Sequence, residues 1–207
     1  ERSGTHCEVA LVPNGTANDF ARAAGIAQFP LDEAIALASR GTAQRIDVLH
    51  AGDRLAANMV TIGFAASLSD SVPRPLKDAL GGLAYPIHGL QQLGSWNATT
   101  LTVRCDGQQW TGDALGVCIC NGSSAGGGLP IAPDALLDDG LLDVVIFPDD
   151  GAWASMARLV EALTAGSTHA EGLLHFQCDA VEVTGAGALP MSFDGELDHL
   201  ESLSVRI

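Results

Sequence analysis

The segment Asn121–Ile146, NGSSAGGGLPIAPDALLDDGLLDVVI, decides how the rest of the chain is read. An apolar strand over Asp113–Cys120 runs into it, and a second apolar strand over Leu141–Phe147 overlaps its end. Between them lies a glycine run, where the missing Cβ lets backbone approach a ligand closely. Pro130 and Pro133 lack an amide donor and fix φ, so the loop cannot be a helix. Asp138 and Asp139 precede Gly140, a pattern suited to a turn that presents oxygens to a hard cation. A constrained, polar loop between two strands marks a site.

Working outward, short strands dominate. Arg45–Ala51 and Leu55–Phe64 flank Gly52-Asp53, a hairpin turn. Thr99–Cys105 alternates, Asp106-Gly107 is a strong two-residue turn signal, and Gln108–Thr111 returns. Leu173–Cys178, Ala180–Thr184, Pro190–Phe193 and Leu200–Ile207 follow, with Asp194-Gly195 as another turn that leaves Glu196 at a strand start. Helical patterns interrupt this at Pro73–Leu93 and at Ala152–Leu163, the latter behind a cap at Asp149 or Asp150. The spacing predicts a mainly β chain with α insertions, built as a β-sandwich.

Before residue 43 the texture differs. Glu8–Pro13, EVALVP, reads as a strand running into the turn Asn14-Gly15-Thr16 and a helix over Ala17–Ala24 that Gly25 ends. Thr16 is the expected N-cap. Strand, glycine turn and helix start form a ready anion site, although an ordinary strand-to-helix connection reads equally well from so short a motif. A second helix spans Leu31–Arg40, with Leu31, Ile35 and Ala38 on one side. This is the expected pattern for the tail of an α/β unit, so residues 1–42 are read as the remnant of one α/β domain and 43–207 as the β-sandwich. The reading expects a chain shortened at its N-terminus.

Composition narrows the functions. With 25 acidic against 10 basic residues and a formal charge of −15, the chain lacks the basic footprint of a nucleic-acid binder. An apolar fraction of 47% with 17% charged residues is globular. No apolar run approaches the ~20 residues that span a bilayer, and no leader is visible. The five cysteines are odd in number and irregularly spaced, so no disulfide framework is expected and a reducing cytoplasm fits best. Cys118 and Cys120 share a strand face as small buried groups. The six histidines form no helical pair with zinc spacing.

One motif misleads. Gly122-Ser-Ser-Ala-Gly126 matches the G-x-S-x-G nucleophile elbow, but that motif needs a following helix, which Gly127, Gly128, Pro130 and Pro133 forbid. Ser124 is therefore not read as a nucleophile.

Three segments in this order, NGTANDFARA (Asn14–Ala23), GDALGVCICNGSSAGGGLPIAPDALLDDGLLDVVIF (Gly112–Phe147) and MSFDGE (Met191–Glu196), resemble the diacylglycerol kinase catalytic family, specifically its bacterial YegS-type lipid kinases. ALGGLAYPIHGLQQL (Ala79–Leu93) resembles the YegS branch in particular. The resemblance implies an α/β ATP-binding domain related to NAD kinases, followed by a C-terminal β-sandwich, and transfer of the γ-phosphate of ATP to a lipid hydroxyl such as that of diacylglycerol or phosphatidylglycerol. It implies Thr16 as an ATP contact and Glu196 as the catalytic base, where turn statistics alone would read a solvated hairpin. It also implies Mg2+ or Ca2+ held by the Asp139 side chain and the carbonyls of Leu136 and Leu141, with Asp138 facing solvent.

Two departures stand out: no GGDGT phosphate motif occurs in these residues, and GFAA stands at Gly63–Ala66 where many relatives carry GFDA. The expectation is thus the C-terminal part of a cytoplasmic lipid kinase, inactive alone, whose partners are a membrane-surface lipid and the N-terminal ATP-binding domain, with a homodimer left open. The acidic balance predicts transient membrane contact. The rival reading is a non-catalytic lipid- or protein-binding β-sandwich descended from a kinase.

Overall fold

The structure is a computed structural model that describes residues 8–15, 17–63, 66, 97–151, 154 and 172–207. Thr16, Cys7, the expected helical stretch Pro73–Leu93 and nearly all of Ala152–Leu163 lie outside the described residues.

Eleven strands carry the fold among the described residues: β1 (Leu49–Ala51), β2 (Arg54–Ala56), β3 (Met59–Gly63), β4 (Thr99–Cys105), β5 (Gln108–Cys120), β6 (Ser124–Ala125), β7 (Leu129–Pro130), β8 (Leu142–Pro148), β9 (Leu174–Cys178), β10 (Ala180–Phe193) and β11 (Glu196–Arg206). Nine belong to one antiparallel sheet ordered β2-β1-β11-β10-β3-β5-β8-β9, with β4 pairing both β10 and β5. The two long strands explain that arrangement. β10 pairs β4 through Val181–Gly185 and β3 through Met191–Phe193, while β5 pairs β4 through Gln108–Ala114 and β3 through Gly116–Cys120. β3 and β4 therefore lie end to end in one track between the same two neighbours. At the junction β10 changes register against β11 between Thr184 and Leu189, and β5 against β8 between Ala114 and Gly116. Such irregularities bend and twist a strand, which lets one sheet fold over on itself.

Alternation assigns the faces. Val60 and Ile62, Val117 and Ile119, Val144 and Ile146, Val181 and Val183, and Leu203 and Val205 all enter a single buried cluster. One sheet can bury a whole face in one cluster only by wrapping it inward, so the architecture is the expected β-sandwich. The alternate residues Met59, Cys118, Cys120 and Val145 form a smaller outer cluster with Ala132 of the glycine-rich loop. Cys118 and Cys120 are buried free thiols, as the sequence predicts. Burial pushes the Cys118 thiol up to about 12. It raises Cys120 as well, aided by Cys118 and Asp143. Neither supplies a thiolate nucleophile at neutral pH.

Several boundaries differ from the sequence reading. Glu8–Pro13 is not a strand: no described strand pairs with it, and Val9 is 87% exposed. Local apolarity was its only credential, and a strand also needs a ladder partner. The first helix, α1, is Asp19–Ala23 with Asn18 at its N-cap position at φ 52°, so Thr16 is not the cap. Gly15 N instead donates to Asn18 Oδ1. The second helix, α2, does span Leu31–Arg40, but it buries Ala34 and leaves Leu31 and Ile35 exposed. The run expected over Leu55–Phe64 breaks into β2 and β3, because the Ala57 and Asn58 amides are spent outside the ladder.

The cysteine expectation also needs correction. Cys105 at the end of β4 and Cys178 at the end of β9 form a disulfide between strands that are not sheet neighbours. Their separation of 73 residues hides the pairing from local spacing. Cross-linking so long a loop restricts the unfolded chain, an effect of about 2–4 kcal/mol. Reduction should lower the denaturant midpoint accordingly. A midpoint identical with and without reductant, in a sample whose untreated mass shows the Cys105–Cys178 disulfide formed, would contradict this.

Candidate functional site

The corner between β2 and β3, residues Ala57-Asn58-Met59, connects the motifs. From one side comes the tight β10–β11 turn, where Asp194 and Gly195 take φ 49° and 99°. The Asp194 carboxylate accepts the amides of Ala57 (2.6 Å), Asn58 (3.0 Å) and Met59 (2.8 Å), and its own amide donates to Met59 O. Gly195 N adds a bond to Ser192 Oγ. A carboxylate that accepts three amides holds a turn in one place.

From the other side comes the glycine-rich loop. Asn121 and Gly122 both donate their amides to Asn58 O, and the Asn58 side-chain amide donates to Ser124 O. Asn121 Nδ2 donates to Ala57 O and to Asp47 O. Asp47 reaches on to the turn that follows: its carboxylate accepts Gly140 N at 2.7 Å and its amide donates to Leu137 O. Gly122 is needed for close approach, since a Cβ there would lie 2.0 Å from Asn58 Oδ1 and 3.4 Å from Ala23 Cβ. Gly122→Ala should therefore destabilise the protein by about 1–3 kcal/mol, the usual cost of overpacking. Thermal unfolding at the wild-type temperature would refute the crowding argument.

Helix α1 completes the network. Gly126, Gly127 and Gly128 all take positive φ, and the Gly127 and Gly128 amides turn toward α1. The Asp19 carboxylate accepts Gly127 N at 2.9 Å and Gly128 N at 2.7 Å, and Ser124 Oγ lies 3.3 Å from it. Ser124 is buried and its hydroxyl is turned to Asp19, in a two-residue strand with no helix after it. It lacks the exposure of a nucleophile.

Glu196 opens β11 as the cross-strand partner of Phe193. Its side chain is exposed and makes no hydrogen bond or ion pair among the described residues. It lines a cleft of about 350 Å³ with Arg54, Leu55, Phe193 and Asp194. Leu136, Asp139 and Leu141 lie elsewhere, in the turn anchored by Asp47. Asp139 and Asp138 are both exposed, and Asp139 Oδ1 accepts Leu141 N at 3.0 Å. The second carboxylate oxygen and the nearby carbonyls are hard-oxygen donors of the kind Mg2+ and Ca2+ take. Among the described residues no three His, Cys, Asp or Glu side chains gather as a metal cluster. An all-side-chain cage is thus not what these residues offer.

Sequence reasoning missed Asp194, Asn58, Asn121, Asp19 and Asp47 as the elements that join the motifs. Two signals existed: isolated asparagines at the ends of apolar strands, and a carboxylate at a turn position requiring positive φ.

Residues 58–207 match the YegS C-terminal NAD kinase β-sandwich-like domain, which sets the class, and residues 1–51 match the diacylglycerol kinase catalytic domain. The chain belongs to the YegS-type branch of the diacylglycerol kinase family. A protein of Enterobacter sp. (strain 638) named probable lipid kinase YegS-like is 37% identical over 190 residues, covering 90% of this chain and 61% of its own. One of the same name from Pseudomonas putida is 39% identical over 196 residues, covering 94% and 63%. In shape, the crystal structure of a diacylglycerol kinase from Bacillus anthracis str. Sterne overlays with a TM-score of 0.73 at 22% identity, covering 96% of this chain and 66% of that one. That likeness shows the fold. The chain spans about three fifths of the length of these curated relatives. No helix among the described residues is long and apolar enough to cross a membrane.

Proposed function

We propose that this chain supplies the acceptor side of an ATP-dependent lipid kinase, with Glu196 as general base. The observation that carries the reading is a carboxylate at a cleft with no partner among the described residues, on a turn immobilised two residues earlier by Asp194. In the reaction the acceptor hydroxyl gives its proton to a Glu196 carboxylate oxygen. The hydroxyl oxygen bonds to the γ-phosphorus while the bond from that phosphorus to the β–γ bridging oxygen breaks, and ADP leaves.

Thr16, which precedes α1 in the sequence, is assigned to the nucleotide. Leu136, Asp139 and Leu141 would hold the divalent cation, which orders their turn when bound. The acceptor is a lipid met at a membrane surface by transient contact. Because GGDGT is absent from these 207 residues, the chain assayed by itself has no turnover.

The test is transfer of labelled γ-phosphate from ATP to a panel of hydroxyl-bearing lipids by the full-length protein. A labelled lipid is expected. ATP-independent behaviour, or no labelled lipid across the panel, would overturn the reading.

A further inference from the structure

Beside Glu196, Arg54 is the cation among the described residues that line the cleft. Arg54, the first residue of β2, pairs through its Nη2 with Asp198 Oδ2 at 2.6 Å. Its guanidinium carbon lies 5.1 Å from the ring centroid of Phe193, the cross-strand partner of Glu196. Asp198 is two residues beyond Glu196 on β11, and alternation puts both on one face. Asp194, the cleft's other carboxylate, is committed to three amides. Among the described residues of the cleft, the charged groups able to meet a ligand are therefore Glu196 and Arg54.

We propose that Arg54 is the phosphate-recognising, specificity-determining residue of this cleft, held by Asp198 when the cleft is empty and passed to a phosphate oxygen when it is filled. This rests on the lipid-kinase reading above. The energetic order favours the exchange. The Arg54–Asp198 pair is 42% and 28% exposed, and pairs in that setting are weak. A phosphate offers a guanidinium two parallel charge-assisted bonds instead. Stacking on Phe193 keeps the guanidinium in the cleft through the exchange. Asp198 is not stranded, because its Oδ1 accepts His199 N at 2.8 Å. Two sources bring this chemistry to Arg54, the acceptor lipid's own phosphodiester and the nucleotide's terminal phosphate.

Two variants act in opposite directions and separate recognition from bracing. Arg54→Gln should raise the KM of the phosphate-bearing ligand about tenfold, with kcat little changed. Asp198→Asn, which releases Arg54, should lower the same KM by up to about fivefold. With phosphatidylglycerol and diacylglycerol as paired acceptors, a change confined to phosphatidylglycerol assigns the lipid phosphodiester. A change confined to ATP assigns the nucleotide. Calorimetric titration with inorganic phosphate requires no turnover and should show the same opposed shifts. If the wild type phosphorylates no lipid but the titration shows them, the kinase reading fails and the assignment of Arg54 stands. Unchanged binding in both variants, or equal weakening in both, overturns it.

Discussion

Glu196→Gln should reduce lipid phosphorylation by roughly 10²- to 10⁴-fold, the range that general base catalysis supplies. The amide keeps the size of the side chain and loses its capacity to accept a proton. Folding should be nearly untouched, because the Glu196 side chain is exposed and has no hydrogen bond or ion pair to lose among the described residues. Surface changes of this kind stay within about 0.5 kcal/mol. The kinetic pattern is diagnostic. A base acts on the transition state, so kcat and kcat/KM should fall together while the KM values for ATP and lipid stay near wild type. The measurement is steady-state kinetics of the full-length protein alongside its denaturation midpoint. Retained turnover at wild-type stability would remove Glu196 from the chemistry.

How much of this was legible in the sequence follows from how far each interaction reaches. The hairpins at Gly52-Asp53, Asp106-Gly107 and Asp194-Gly195 are local events, decided by which residues tolerate positive φ, and all three form where the dipeptides stand. The glycine-proline loop is equally local. Strand lengths were underestimated where a strand serves two partners. β10 continues through Gly185–Ala188, and β5 through Gly112, because neighbours β3 and β4 take over from each other along one track. Glycines there read as breaks in one dimension and act as bends in three.

The site shows the same division. A short turn motif puts Glu196 at a strand start, but its assigned role rests on the resemblance, and the cleft it shares with Arg54 and Leu55 was not legible. The corner Ala57–Met59 exchanges hydrogen bonds with residues 63 to 137 positions later in the chain. No periodicity carries such contacts. The Cys105–Cys178 bridge was hidden for that reason too.

Asp194→Ala should cost about 2–4 kcal/mol of stability. Three backbone amides lose a charged acceptor at once, and each such bond is worth about 1.5–3 kcal/mol, discounted here because the turn is partly solvated and the bonds share one acceptor. For a domain of this size that corresponds to a fall of roughly 5–15 °C in melting temperature. Part of the loss is conformational, since alanine resists the positive φ of 49° that residue 194 adopts. Asp194→Asn separates the terms. Asparagine tolerates that φ and keeps Oδ1 for Asn58 and Met59, but it turns an NH2 toward the Ala57 amide in place of Oδ2. Its cost should fall between wild type and Asp194→Ala, and the remainder is the charge and the Ala57 bond. The same clamp fixes the turn that carries Glu196, so both variants should lose turnover in proportion to their loss of stability. Chemical denaturation beside activity assays tests this. A wild-type midpoint for Asp194→Ala would mean that the β2–β3 corner holds without its carboxylate, and the wiring of the site would have to be assigned to Asn58 and Asn121 alone.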